Sequence, residues 1–149
     1  MGTYSNLVNH AVFSTKGRMP LINEIIEDEL YRYITGIIQG EGVQLFKIGG
    51  TQNHIHIAMK LKPRHYIPDL MKRIKANSSK WVNDQHKIEG RFSWQVGYGI
   101  FSISESQLAH VVSYVENQKS HHCRQTFEEE FVLLLEKHGI EYDPQYLWD

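Results

Sequence analysis

Gln52-Asn53-His54-Ile55-His56-Ile57-Ala58-Met59, continuing through Lys60 to Leu61, is the stretch on which the fold turns. Successive side chains of a strand point to opposite faces. Ile55, Ile57, Met59 and Leu61 therefore share one face, while His54, His56, Ala58 and Lys60 share the other. The two imidazoles then stand side by side. Two readings fit that placement: the polar side of an amphipathic strand, or half of a metal site. Which one holds depends on whether the chain supplies a third ligand and a reactive group.

On the N-terminal side, Gly49-Gly50-Thr51-Gln52-Asn53 reads as a turn that joins this strand to a preceding one, Val43–Ile48, in a hairpin. Further back, Tyr4–Thr15 reads as a first strand ending at Lys16-Gly17-Arg18. A helix follows, with Asn23 as N-cap and Ile26, Leu30, Tyr33, Ile34 and Ile37 at helical spacing until Gly40. On the C-terminal side, Pro68 opens a second helix whose apolar side carries Leu70, Met71, Ile74, Trp81 and Val82. Phe92–Ile103, aromatic and β-branched, reads as a fourth strand, with Gly97 and Gly99 marking a bulge or a close backbone approach. The order β-α-β-β-α-β predicts an α+β, ferredoxin-like antiparallel sheet. Its helices cover the face of Ile55, Ile57 and Met59 and leave the histidine face open.

At 149 residues, 41% hydrophobic and 22% charged, the chain suits one globular domain spanning residues 1–149. The first residues lack a signal-peptide pattern and no apolar run approaches the ~20 residues of a membrane span, so a soluble, cytoplasmic protein is expected. The single cysteine, Cys123, excludes an internal disulfide and a cysteine-rich zinc site. With His121 and His122 it forms either a small zinc-binding group or an incidental surface cluster. The net charge of −1 hides an uneven distribution. Lys60–Lys80 holds seven basic residues against one acid, and Phe127–Asp149 holds seven acids against one lysine. The basic stretch is a polyanion site or a solvated helix face, and the acidic one should repel nucleic acid.

A third helix should cover the open sheet face. Ser104 and Gln107 are spaced as a capping box ahead of the apolar stripe Leu108, Val111, Val112 and Val115. On its other side cluster His110, Tyr114, Asn117, Gln118 and His121, with Tyr114 and Gln118 one i, i+4 step apart. Tyr114 alone would read as a packing aromatic. Its partnership with Gln118 and the strand histidines shifts that weighting.

Three segments together resemble the single-tyrosine HUH-type transposases of bacterial insertion sequences: Gly49-Gly50-Thr51-Gln52-Asn53-His54-Ile55-His56, Trp94-Gln95-Val96-Gly97-Tyr98-Gly99, and Tyr114-Val115-Glu116-Asn117-Gln118-Lys119-Ser120-His121-His122. The resemblance spans nearly the whole chain and implies the same ferredoxin-like fold, with an additional helix carrying the tyrosine. It implies that His54 and His56 are metal ligands, that Gln118 is the third, and that Tyr114 is the nucleophile. The implied substrate is single-stranded DNA, often beside a hairpin near the element's end. The implied assembly is a homodimer whose sites combine the histidines of one subunit with the tyrosine helix of the other.

The residue types suit that chemistry. Two imidazoles and an amide oxygen leave open positions on a divalent ion, most naturally Mg²⁺ or Mn²⁺, which can polarise a phosphate. A tyrosine conserves the phosphodiester as a 5′-phosphotyrosine, so the strand can be rejoined without ATP. His110 and His121 are candidate bases. Lys72, Arg73, Lys75 and Lys80 are candidate backbone contacts, and Trp94 or Tyr98 either stacks on bases or belongs to the core. A domesticated or rolling-circle-type nickase, and a silent DNA-binding repressor on the same scaffold, are the alternatives. The Tyr-x-x-x-Gln spacing favours the insertion-sequence enzymes over repeat-associated relatives.

Overall fold

A computed structural model describes residues 1–148; Asp149, one of the acids counted above, lies outside the described residues. Four antiparallel strands, β1 (Leu7–Ser14), β2 (Gln44–Gly50), β3 (His54–Leu61) and β4 (Gly99–Ser102), form one sheet in the order β2-β3-β1-β4. Helix α1 (Glu27–Gly40) links β1 to β2, and α2 (Ile67–Gln85) links β3 to β4. This is the expected ferredoxin-like arrangement. After β4 come α3 (Leu108–Glu116), the single turn α4 (Gln118–His121) and α5 (Phe127–Lys137).

Strand alternation divides the core between the two faces as the β3 sequence requires. Ile55, Ile57, Met59 and Leu61 pack with Leu30, Ile34 and Ile38 of α1 and Leu70, Met71 and Ile74 of α2. The opposite face is closed by the C-terminal helices. There Val12 and Phe101 pack with Phe127, Phe131 and Leu135 of α5, while α3 lies over β2 and β3. α5 therefore belongs to the sheet, because its apolar residues would otherwise face water. Register sets the neighbours of the histidines on that face: Ser14 pairs with His54, Val12 with His56, and His10 with Ala58.

Two bare positions let these helices settle. A Cβ on Gly49, which pairs with His56, would stand 2.4 Å from the Val115 carbonyl oxygen of α3. A Cβ on Gly99 would stand 2.7 Å from the Phe131 ring of α5. Gly99 is thus the close backbone approach foreseen, while the register shift of the sheet falls between Leu45 and Lys47 of β2.

Several expected boundaries move. β4 begins only at Gly99, because Gly97 turns the chain at φ 85°; upstream, only Trp94 bridges to Thr15, and Gln95 Oε1 accepts from the Ser14 amide at 2.6 Å. Asn23 caps a turn before α1, its Oδ1 accepting from the amides of Ile25 and Ile26, both at 3.0 Å. The expected Ser104 capping box does not form: Ser104 leads into a 3₁₀ turn, Glu105–Gln107, with no side-chain cap. The third helix is not continuous through His121. It breaks at Asn117 (φ −99°, ψ 23°), whose Nδ2 donates to the Ser113 carbonyl at 2.9 Å. Thr126 caps α5, accepting from the Glu129 amide at 3.2 Å.

Candidate active site

The histidine face is buried beneath α3, α4 and α5. His54 and His56 are both 0% exposed, Gln118 is 1% exposed, and Tyr114 is half-buried. His54 Nε2 lies 3.0 Å from Gln118 Oε1, and Gln118 Nε2 donates to the Tyr114 carbonyl at 3.4 Å. The structure thus gathers His54, His56, Tyr114 and Gln118 of one chain at one place, despite the break at Asn117.

At their centre sits Glu130 of α5, 1% exposed. Its Oε1 lies 2.9 Å from His56 Nε2, 3.2 Å from His122 Nε2 and 3.5 Å from His54 Nε2. Its Oε2 accepts a hydrogen bond from the Tyr114 hydroxyl. Burial by itself would raise the Glu130 carboxyl pKa, but the facing nitrogens of His122 and His56 and the Tyr114 hydroxyl outweigh it and hold the group well below the usual carboxylate range. Burial first, and then the hydrogen bond to Glu130 and its charge, push the Tyr114 phenol well above its ordinary value. Desolvation, reinforced by His56, lowers His54 to about 3. His54 is therefore neutral at physiological pH.

The His54 tautomer follows from its outer contacts. His54 Nδ1 lies 2.7 Å from Asn53 Oδ1 and 3.0 Å from Thr51 Oγ1, so its ring hydrogen belongs on Nδ1 and a lone pair faces inward from Nε2. On the outer side of His56, Nδ1 lies 2.7 Å from Nε2 of His10, which burial and the neighbouring His56 hold neutral, at a pKa of about 3. His122 Nε2 is buried without a hydrogen-bond partner. The inward lone pair of His54, the Gln118 amide oxygen and the Glu130 carboxylate therefore face one another, an arrangement that a cation relieves. Ligand atoms of His54, His56, His122 and Glu130 all lie within 4.8 Å of one another, so these residues could hold a metal ion.

The family is legible at this point. A profile described as "Transposase IS200 like" matches residues 3–118. The chain belongs to the IS200-like transposases. It is 24% identical to the ISDra2 transposase TnpA of Deinococcus radiodurans over 122 residues, which cover 78% of this chain and 87% of that protein. Among solved structures it is similar to one from Deinococcus radiodurans R1 described as a transposase, with a TM-score of 0.64, 25% identity, and coverage of 79% of this chain and 95% of that one. It shares the fold of a REP-associated tyrosine transposase bound to a REP hairpin, with a TM-score of 0.58, 13% identity, and coverage of 82% and 74%. Membership of this family supports a transposase role for the chain.

The other candidates named from the sequence scatter, and each goes where packing sends it. Lys72, Arg73, Lys75 and Lys80 lie on α2, which packs on the sheet face away from the histidines. Arg73 pairs with Glu41 at 2.6 Å, Lys80 pairs with Asp84 at 2.7 Å, and Lys75 Nζ donates to the Gly97 carbonyl at 2.6 Å. Trp94 is 8% exposed in the core, where its Nε1 donates to Ser78 Oγ at 2.9 Å, so it does not stack on bases. Tyr98 is partly buried against the same core. The His121 ring lies tilted against Tyr114 with centroids 4.8 Å apart, and exposed His110 lines the cavity beside it. Cys123 is exposed and outside the cluster, whereas its neighbour His122 is inside.

Sequence reasoning missed His10 and Glu130, and left His122, with Cys123 and His121, between a small zinc-binding group and an incidental surface cluster. Glu130 was one of three consecutive glutamates, Glu128–Glu130, on a helix expected to repel DNA. One signal was available: with Phe127, Phe131 and Leu135 facing inward at helical spacing, Glu130 falls on the same side. His10 likewise alternates with Val8 and Val12 on β1.

Proposed function

We propose that this protein cleaves and rejoins single-stranded DNA, with Tyr114 as nucleophile and His54, His56 and Gln118 holding a divalent metal, Mn²⁺ or Mg²⁺. The observation that carries this reading is that the Tyr114 hydroxyl and the inward ring nitrogens of His54 and His56 meet around one buried carboxylate, in a chain of a transposase family. The Tyr114 oxygen forms the new bond to phosphorus while the bond to the 3′ oxygen breaks. The phenol gives up its proton towards Glu130, which faces it. The 3′ oxygen takes up a proton and leaves as a free hydroxyl, and a 5′-phosphotyrosine remains to be attacked in turn. A bound divalent ion would supply positive charge that holds and polarises the scissile phosphate.

The surrounding residues position the histidines and the tyrosine helix. Asn53 and His10 fix the histidine rings from outside, while Gln118 ties the strand site to the tyrosine helix. A cavity of about 520 Å³ opens beside Tyr114, lined by His10, Gln107, His110, Glu130 and His138. DNA enters there, with a neighbouring hairpin held elsewhere on the protein. Two copies of the chain form the working unit, and Lys72, Arg73, Lys75 and Lys80 contact backbone phosphates away from the cleavage point.

The test is incubation with single-stranded DNA carrying the element's end, with Mn²⁺ or Mg²⁺. Wild-type protein should form a covalent adduct visible on a denaturing gel, and Tyr114→Phe should form none. An adduct that persists in Tyr114→Phe would remove the nucleophile assignment. No adduct with either metal, while the DNA is still bound, would leave the DNA-binding repressor in its place.

A further inference from the structure

We infer that the segment after the Tyr114 helix completes the metal centre: His122 through Nε2 and Glu130 through Oε1 are ligands beside His54 and His56, and Glu130 through Oε2 holds the Tyr114 hydroxyl against that centre. The inference rests on the metal reading proposed above and changes its composition. Both residues lie beyond residues 3–118, the part of the chain that matches the family profile.

Glu130 is 1% exposed, yet no lysine or arginine pairs with it among the described residues; its partners are three histidine nitrogens and a phenol. Its partners carry no fixed positive charge, and a cation at the histidine nitrogens would balance the buried carboxylate directly. His122 Nε2 is buried 3.2 Å from Glu130 Oε1 outside regular hydrogen-bond geometry, within reach of an ion shared with that oxygen. The outward nitrogen of His54 is already occupied by Asn53 and that of His56 by His10, which frees the inward atoms for coordination.

The two oxygens of Glu130 then do different work. One lies among the ring nitrogens and the other on the phenol, so a single rigid carboxylate fixes the distance between nucleophile and metal. Catalysis depends on such placement, since holding the reacting groups in line removes much of the entropic cost of the step. Helix α5 is anchored for this purpose at its apolar residues Phe127, Phe131 and Leu135 and by the Arg18–Glu128 ion pair at 2.6 Å.

Mn²⁺ binding tests this without relying on activity. In wild-type protein, pulsed electron paramagnetic resonance should count three imidazole nitrogens on bound Mn²⁺, and His122→Ala should show two. Glu130→Gln, which keeps the shape and removes the charge, should weaken Mn²⁺ binding at least ~10-fold in a titration. It should also shrink the Mn²⁺-induced rise in melting temperature while leaving the metal-free melt cooperative. His122→Ala supplies the test if Glu130→Gln fails to fold. Two nitrogens in wild-type protein, or unchanged affinity in both variants, would overturn the inference. So would faster adduct formation by Glu130→Gln, which would make Glu130 a plug in the phosphate position. Failure of the wider reading looks different: Mn²⁺ binds as described, but no DNA adduct forms.

Discussion

His54 and His10 show how a neutral ring is made. Both are buried on the sheet face beneath the C-terminal helices, and desolvation, with His56 close by, lowers each to about 3 from 6.5. In the unfolded chain they titrate near 6.5. Between those values the unfolded state binds more protons, so stability is lost as pH falls from about 6.5 toward 3, at up to ~1.4 kcal/mol per pH unit for each ring. Glu130 acts in the same direction, because its lowered pKa gives stability that disappears as pH falls below the ordinary carboxylate range. The melting temperature of metal-free protein should therefore drop steadily on acidification from pH 7 to pH 4.5. A flat profile over that range would contradict the buried, neutral histidines. At this scale the sequence was informative about His54, His56, Tyr114 and Gln118, whose spacing follows from backbone periodicity alone. It was silent about His10, because a lone histidine on a strand has no partner until register places it opposite Ala58 and beside His56.

Glycines decide how closely the elements approach. Gly49 has no room for a side chain because the Val115 carbonyl of α3 occupies that space. Gly49→Ala would push α3 off β2 and carry Tyr114 with it. The expected cost is about 1–3 kcal/mol of stability, from overpacking against backbone that cannot yield. Adduct formation should fall further than stability does, on the order of 10²-fold for a displacement near 1 Å. Chemical denaturation and single-turnover cleavage measure the two effects separately, and equal losses would mean that α3 merely supports the fold. Strand β3, the hairpin and the two crossover helices were legible because their apolar residues recur at fixed periods. The end of the third helix and the start of β4 were not. Asn117 breaks the helix through its own bond to Ser113, and Gly97 takes a left-handed turn, neither of which a hydrophobic period records.

Across the whole molecule the sheet separates two kinds of surface. Below it lies α2 with its lysines and arginine; above it lie the histidines, closed in by α3, α4 and α5. Among the described residues no helix is long and apolar enough to cross a membrane. If the α2 cations hold DNA, they do so at a distance from the cleavage point, and their effect is on affinity more than on the chemical step. Lys72→Ala with Lys80→Ala should weaken single-stranded DNA binding and reduce the slope of log affinity against log salt by about 0.7 for each phosphate that is no longer neutralised. Cleavage by the bound complex should be unchanged. An unaltered salt slope would assign these residues to a solvated helix face, a role their ion pairs with Glu41 and Asp84 already suit in the case of Arg73 and Lys80.

By itself the sequence determined the antiparallel β-α-β-β-α-β frame, the shared face of His54 and His56, and the joint projection of Tyr114 and Gln118, because each is a consequence of local periodicity. Only the tertiary structure decided that α5 folds onto the histidine face and brings Glu130 between the histidines and the tyrosine. That arrangement joins residues 74 apart in one case and 16 in the other. It depends on which apolar surface α5 buries, a choice made by packing across the sheet and not by any spacing along the chain.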